Sequence, residues 1–201
     1  QSLCWDREKG MYREGPECRQ FTQHAQSWAV LNEMVEGEGA REILTHTIKS
    51  EECLKCSFST AYEWFRALEK AGMYETMREG LNDWIALLEL DCTTCPETPK
   101  QSRSECHAWS ALPMFEMVRT IAGVVSEGIG WERVRIEPHL MDLMDLQGKV
   151  ATPKGTVIFR YEKTGGTWHY FVELPVGMEA TFVYPDGKKE CLYAGKSQLQ
   201  Y

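Results

Sequence analysis

The sequence predicts an α+β fold in which helices come first and a small antiparallel β-sandwich follows. Apolar residues recur at a helical period of about 3.6 over roughly the first 125 positions. Short β-branched and aromatic runs with a period of about 2 follow, and Gly123, Gly128 and Gly130 lie where the period changes. We therefore expect a helical domain over residues 1–126 and a sandwich domain over residues 127–201.

Five helices are predicted in the first domain. Thr22, Gln23 and His24 precede the apolar residues of the first helix, and Gly37 and Gly39 are expected to stop it. Ser57 or Ser59 can cap the third helix. The predicted helices cover residues 22–36, 40–49, a third segment ending at 72, then 74–90 and 108–121, with a loop over 91–104. Short links between helices of similar length predict antiparallel hairpins.

Five strands are predicted in the second domain. They are runs rich in valine, isoleucine, phenylalanine and tyrosine, at residues 133–136, 156–161, 168–174, 180–184 and 190–193. Turn sequences separate them, namely TGG at 164–166, PVG at 175–177 and PDG at 185–187. Short strands without an intervening helix predict a small antiparallel sandwich.

The composition is typical of a globular protein and disfavours two classes of partner. Lysine and arginine number 22 against 30 aspartates and glutamates, so the formal net charge is −8. This balance disfavours nucleic acid and anionic membranes as partners. The chain shows no apolar run of about 20 residues and no signal-peptide pattern, so a cytoplasmic location is expected. It begins with Gln1 rather than methionine, which suggests a processed chain or a piece of a longer one.

Eight cysteines include two C-x-x-C pairs, Cys53/Cys56 and Cys92/Cys95. Together the pairs could supply four zinc ligands, but 35 residues separate them, which is more than zinc ribbons use. A thioredoxin-like redox motif is disfavoured because no strand is predicted before Cys53. We therefore interpret the cysteines as reduced residues without a shared ligand, and we predict no metal and no cofactor.

The loop over residues 91–104 and the helix start after it carry the most suggestive side chains. Glu97 lies between Pro96 and Pro99, and His107 and Trp109 open the next helix. A carboxylate, an imidazole and an indole suit a sugar, since the apolar sugar face stacks on the indole and a carboxylate can activate water. Taken alone, such a glutamate is more often a solvated surface residue.

These residues resemble a known family. The segments SECHAWSA at 104–111 and TTCPE at 93–97 are similar to the end of the catalytic barrel of bacterial α-L-rhamnosidases. Those enzymes are inverting glycoside hydrolases with a six-hairpin helical barrel and a C-terminal β-sandwich. Further similar segments follow the same order along the chain, at residues 5–13, 22–25, 57–59, 67–72, 133–140 and 152–155.

The resemblance implies a site and a reaction. It assigns the general base to Glu97 and substrate binding to His107, Trp109, His24 and Arg103, with a rhamnose-containing glycoside as substrate. Pro96 stands where the family often has tryptophan, and Glu105 stands where it often has aspartate. The family's general acid lies upstream of every segment matched here, so we expect this chain alone to be inactive. A piece of the barrel would also expose the apolar faces that contact its missing neighbours, so we expect it to self-associate through these exposed barrel faces.

Two other readings stay open. The sandwich and its exposed aromatic residues could bind carbohydrate without turnover. The four C-x-x-C cysteines could instead hold zinc in an interaction module, which a metal assay would reveal.

Overall fold

The computed structural model describes residues 3–100 and 102–201. The chain divides into two units, one that ends at Pro113 and one that runs from Met114 to Tyr201. The first unit holds most of the helices, and the second holds two four-stranded sheets. The predicted α+β class is thereby confirmed, whereas a domain limit at residue 126 stays a prediction.

Short strands occur in the first unit, where only helices were predicted. β1 (Trp5–Asp6) and β2 (Met11–Tyr12) form an antiparallel hairpin, and β3 (Phe21–Thr22) leads into the first helix. The purely helical prediction was wrong at these places. Strands of two residues are too short to display a period, so hydrophobic patterning cannot detect them.

The first two helices differ from the prediction at their junction. α1 spans Gln23–Leu31 and is capped by Thr22, whose Oγ1 accepts a hydrogen bond from the Ala25 amide at 3.2 Å. α2 spans Gly37–Lys49, so Gly37 begins a helix instead of stopping one. Gly37 has a φ of 54°, and this left-handed conformation lets the chain turn between the helices.

The third helix follows a parallel strand pair and a 3-10 turn. β4 (Cys53–Leu54) pairs with β3, and the turn at Phe58–Thr60 precedes α3 (Ala61–Lys70), which packs against α1. The predicted serine cap is wrong: the Ser57 and Ser59 hydroxyls bond to each other at 3.0 Å. The expected end at Gly72 is confirmed, since its φ is 66°.

Two helices replace the single helix predicted over residues 74–90. α4 spans Tyr74–Gly80 and α5 spans Asn82–Glu89, with the break at Leu81. The Phe65 ring lies 3.1 Å from the place that a Cβ of Gly80 would occupy. Glycine at this position therefore allows α4 to approach α3 closely, and helical periodicity alone does not reveal that requirement.

A long loop joins α5 to the next helical stretch. Its described residues, 91–100 and 102–107, contain neither helix nor strand, as predicted. The predicted fifth helix consists of three consecutive segments: a 3-10 turn at Ala108–Ala111, α6 at Leu112–Glu116 and a π-helical turn at Met117–Ile121. Pro113 lacks an amide hydrogen, which explains why the hydrogen-bond pattern changes near it. In the described part of the chain, no helix is long and apolar enough to cross a bilayer.

Eight strands form the second unit. They are β5 (Val124–Glu127), β6 (Arg133–Ile136), β7 (Asp145–Thr152), β8 (Gly155–Thr164), β9 (Thr167–Leu174), β10 (Glu179–Val183), β11 (Lys189–Leu192) and β12 (Gly195–Gln200). One sheet has the order β11-β10-β6-β5 and the other β12-β9-β8-β7. Because β6 and β10 pair in parallel, the prediction of a wholly antiparallel sandwich was wrong for this pair.

The five predicted strands correspond to β6, β8, β9, β10 and β11. β5, β7 and β12 were missed, and all three are edge strands. An edge strand is covered on fewer sides and therefore carries more polar residues. β12 illustrates this, because Leu199 is its one buried residue.

The core of the second unit lies between the two sheets. Val134 and Phe182 from one sheet and Phe159 and Tyr161 from the other belong to the same buried cluster. The Tyr161 hydroxyl is fully buried and donates a hydrogen bond to the Ala122 carbonyl oxygen at 3.1 Å. Burial raises the pKa of this phenol, which keeps it protonated and able to donate.

Candidate functional site

The loop between α5 and the 3-10 turn at Ala108–Ala111 folds back on itself through its backbone. The Glu97 amide donates to the Ser104 carbonyl at 2.8 Å, and the His107 amide donates to the Cys95 carbonyl at 2.7 Å. Pro96 lies between these two pairings and is buried. These bonds bring residue 97 beside the start of the next helical turn, although ten positions separate Glu97 from His107.

Glu97 forms a two-point ion pair with Arg103. The guanidinium Nη2 lies 2.8 Å from Oε1 of Glu97, and Nε lies 3.3 Å from Oε2. The Glu97 side chain is only 18% exposed, whereas the Arg103 side chain is 87% exposed. The donated bond from Arg103 holds the pKa of Glu97 below its usual range, and the nearby His107 ring adds to the effect. Glu97 is therefore a carboxylate at neutral pH.

His107 and Trp109 stand beside this ion pair. Their ring centroids lie 4.2 Å apart at an interplanar angle of 43°. The Trp109 indole Nε1 donates to the Glu97 carbonyl oxygen at 3.3 Å, yet 45% of the residue stays exposed. The indole therefore offers an apolar face to solvent next to a carboxylate.

His107 has one ring nitrogen without a partner. Its Nδ1 is shielded from solvent and has no hydrogen-bond partner in residues 3–100 and 102–201. A shielded polar atom in this state costs free energy unless a water molecule or a bound group supplies the partner. This property is expected of a ring that meets a ligand.

Two aromatic side chains, Trp84 and Phe58, pack against the turn that carries Trp109. The Trp84 Nε1 donates to the Ser110 carbonyl at 2.7 Å, and the Trp84 ring stacks on Phe58 with centroids 4.2 Å apart. The Ser110 amide and hydroxyl in turn bond to the His107 carbonyl at 3.2 and 3.1 Å. The sequence placed Trp84 only on a helix face. Its supporting role depends on a contact 26 positions away, and no local signal reveals it.

His24 occupies a neighbouring position. Its Nε2 lies 2.7 Å from the Thr60 hydroxyl oxygen, at the end of the Phe58–Thr60 turn. That turn contacts the Ala108–Ala111 turn, which carries Trp109. The structure thus brings together Glu97, Arg103, His107 and Trp109. His24 is connected to this group through Thr60 and the contact between the two turns. Glu105, the nearest acidic alternative in sequence, is exposed.

The eight cysteines are all free. Cys53 begins the short strand β4, which the sequence did not predict. Burial raises the pKa of Cys53 to about 11 and that of Cys56 to about 12, so both thiols are protonated and unreactive at neutral pH. In residues 3–100 and 102–201, no three His, Cys, Asp or Glu side chains are grouped as metal ligands. The prediction that zinc is not bound stays a prediction.

The arrangement suits carbohydrate chemistry. A carboxylate of lowered pKa can accept a proton from water once a ligand displaces its arginine partner. An exposed indole can stack on a sugar ring, and the guanidinium and imidazole can bond to its hydroxyl groups.

Part of the chain, outside the Glu97 loop, matches a known family. Residues 123–198 match the family model described as the bacterial alpha-L-rhamnosidase C-terminal domain. No curated protein sequence matches the chain.

Several solved structures are similar to the chain. The GH78 family rhamnosidase of Bacillus sp. GL1 is 27% identical with a TM-score of 0.83, over 92% of this chain and 22% of that one. An α-L-rhamnosidase from Aspergillus terreus is 19% identical with a TM-score of 0.79, over 89% of this chain and 24% of that one. The Streptomyces avermitilis α-L-rhamnosidase, solved with L-rhamnose, is 16% identical with a TM-score of 0.74, over 89% of this chain and 21% of that one.

This chain spans about a quarter or less of those rhamnosidases. The two matches below 25% identity concern the fold alone. The family model covers all the sandwich strands from β5 to the middle of β12. Residues 123–198 are therefore similar to the C-terminal domain of bacterial alpha-L-rhamnosidases.

Proposed function

We propose that this chain is the C-terminal portion of an inverting α-L-rhamnosidase that removes terminal α-L-rhamnose, with Glu97 as the base that activates water. The observation that carries the proposal is the Glu97 carboxylate, held beside the exposed Trp109 indole and the unpaired His107 nitrogen. The Bacillus sp. GL1 rhamnosidase and the matching family model support the enzyme class.

Each side chain has a separate task in this reaction. Trp109 stacks on the rhamnose ring, and His107 and Arg103 bond to its hydroxyl groups. His24 completes the subsite from the Thr60 side. Glu97 takes the proton of a water molecule that attacks the anomeric carbon from the face opposite the leaving group.

Arg103 limits the basicity of Glu97 while the site is empty. A carboxylate bonded to a guanidinium is stabilised in its charged form and accepts a proton less readily. Because the Arg103 side chain is 87% exposed, it is free to move toward a sugar hydroxyl and release the carboxylate. We infer that substrate binding and activation of the base are coupled in this way.

An inverting hydrolase needs a second carboxyl group about 6.5–9.5 Å away to protonate the leaving oxygen. We assign this acid to a part of the enzyme that precedes the present chain. The helices of the first unit would then be the last hairpins of a six-hairpin barrel, with a sandwich domain from residue 127 onward. Exposed apolar side chains such as Trp28, Ile85 and Leu88 would face the missing helices or a second copy of this chain.

In the complete enzyme, Glu97→Gln keeps the size of the side chain and removes its basicity. Turnover should fall by about 10²–10⁴ with little change in substrate affinity, because general base catalysis contributes a factor of that size. Steady-state hydrolysis of an aryl α-L-rhamnoside measures kcat and KM. The matched control is Glu105→Gln in the same loop, which should retain wild-type kcat. Wild-type turnover by Glu97→Gln would remove Glu97 from the mechanism.

The isolated chain should hydrolyse no aryl rhamnoside, since a base without the acid cannot cleave a glycosidic bond. Release of the coloured aryl group by the purified chain is the measurement. A rate above the uncatalysed one, abolished in Glu97→Gln, would place the acid within these 201 residues and contradict the proposal.

A further inference from the structure

A cleft opens at one end of the sandwich, within the second unit. Its volume is about 710 Å³, inside the range of roughly 300–1,000 Å³ that small-ligand pockets occupy. Four connections contribute to it, namely those between β5 and β6, β7 and β8, β9 and β10, and β11 and β12. Loops that converge at the end of a rigid sandwich are a frequent place for binding sites.

The walls of this cleft are held together. The Lys154 Nζ donates to the Gly177 carbonyl oxygen at 2.7 Å and so links two of the loops. The Glu179 amide donates to the Glu132 carbonyl at 3.4 Å, where the parallel pairing of β6 and β10 begins. The cleft is therefore formed before any ligand arrives, which reduces the entropy cost of binding.

Apolar groups at the cleft are unusually exposed. Tyr193 is 66% exposed and Ile129 is 93% exposed, and both line the cleft. At Gly128 and Gly177 nothing lies within 4 Å of the position of a Cβ, so these glycines leave open backbone along the walls. A flat aromatic ring beside open backbone suits a flat ligand face.

The charges in the cleft are mixed. Glu127 pairs with Arg135 at 3.5 Å, and Lys154 is engaged as described. That leaves Glu132, Arg133 and Glu179, which line the cleft and whose side chains have no ion pair or hydrogen bond in residues 3–100 and 102–201. The two carboxylates outnumber the one guanidinium, so the set disfavours phosphate and other anions while it offers both acceptors and donors.

We propose that this cleft binds a neutral saccharide, with one sugar ring stacked on Tyr193. Hydroxyl groups of the sugar donate to the carboxylates of Glu132 and Glu179 and accept from the Arg133 guanidinium. A neutral polyol matches such a mixed set, whereas an anion or a purely apolar ligand does not. The site lies apart from Glu97 in sequence and in structural unit, so it does not depend on the proposed hydrolysis.

Titration of the whole chain with neutral sugars tests the proposal. L-rhamnose, rutinose (a rhamnosyl-glucose disaccharide), cellobiose and xylobiose would be added up to about 10 mM, which reveals millimolar dissociation constants. The measurement is the amide chemical-shift change in two-dimensional NMR. At least one sugar should shift the signals of Gly177, Glu179 and Tyr193. Galacturonic acid, an anionic sugar, should bind more weakly.

Variants assign the binding to the cleft. Tyr193→Ala should weaken it by about three- to tenfold, as expected for the loss of a stacking partner. Tyr201→Ala removes another exposed tyrosine outside the cleft and should leave the affinity unchanged. Trp109→Ala disables the other proposed sugar site and should not alter these shifts. Glu179→Gln provides a second cleft variant if Tyr193→Ala unfolds.

Three results would overturn the proposal: no cleft signal shifts with any of these sugars, the cleft variants bind as the wild type does, or galacturonic acid binds more tightly than the neutral sugars.

Discussion

At the scale of single residues, Glu97 and Arg103 form the most consequential pair. Six positions separate them, and only the folding of their loop brings the guanidinium onto the carboxylate at 2.8 Å. The family resemblance implies a substrate-binding role for Arg103. In the structure the same side chain also lowers the pKa of Glu97.

Removal of that arginine should raise the pKa of Glu97. The ion pair lowers the pKa, so Arg103→Gln should return it toward its ordinary value of about 4.3. A protonated Glu97 cannot accept a proton, so the acidic limb of the kcat/KM profile of the complete enzyme should move to higher pH. In the isolated chain, carbon-detected NMR of the Glu97 carboxyl follows the same shift directly.

The matched control for this prediction is Arg160→Gln, which breaks an exposed ion pair with Glu162 in the sandwich. It should leave the pKa of Glu97 unchanged. An unchanged or lower pKa in Arg103→Gln would mean that the ion pair does not form in solution.

At the scale of elements, Gly123 determines how the chain enters β5. Its φ is 71°, and a Cβ there would stand 2.1 Å from the carbonyl carbon and oxygen of Glu137. The Glu137 amide also donates to the Gly123 carbonyl at 3.0 Å. Only glycine allows the two backbones to meet at this distance.

Gly123→Ala should therefore lower the free energy of unfolding by more than about 2 kcal/mol, since a backbone clash adds to the left-handed φ. Gly187→Ala is the matched control. Its φ is 82°, but nothing lies within 4 Å of its Cβ position, so it should cost only about 1 kcal/mol. Urea unfolding of both variants at constant m gives the two values. Equal losses would show that the close approach to Glu137 is relieved by a small backbone shift.

The sequence predicted secondary-structure elements well where a periodic hydrophobic pattern extended over many residues. It missed features that depend on contacts between distant residues. β8 and β9 were found because buried residues alternate with less buried ones, at positions 157, 159 and 161 in β8 and at 170, 172 and 174 in β9. The break at Leu81 was missed; beside it, Phe65 from another helix approaches Gly80, a contact that local periodicity does not reveal. The edge strand β12 was missed because its polar residues carry no apolar period.

At the scale of the whole molecule, the second unit contains its own core. The buried cluster between its sheets consists of residues from Ala122 to Leu199, so it draws on no side chain before Met114. We expect residues 114–201 to fold alone and to unfold in one cooperative transition.

Circular dichroism during urea unfolding of the 114–201 segment measures this. Phe182→Ala, at a fully buried position, should destabilise it by about 3–5 kcal/mol or prevent folding. Phe171→Ala, at a half-buried position on β9, should cost clearly less. A gradual urea transition without a native-state baseline would mean that residues 114–201 do not fold stably without the first unit.

The sequence by itself determined the α+β class, the order of the helical and sandwich parts, and the residues that resemble a rhamnosidase site. These properties depend on local periodicity and on short motifs, which a single chain displays without knowledge of its contacts. The tertiary structure decided the parallel pairing of β6 and β10, the ion pair on Glu97, the Trp84 support beneath Ser110 and the cleft around Tyr193. Each of these joins positions that are distant in sequence or linked by an irregular loop, and no local pattern specifies which distant groups will meet.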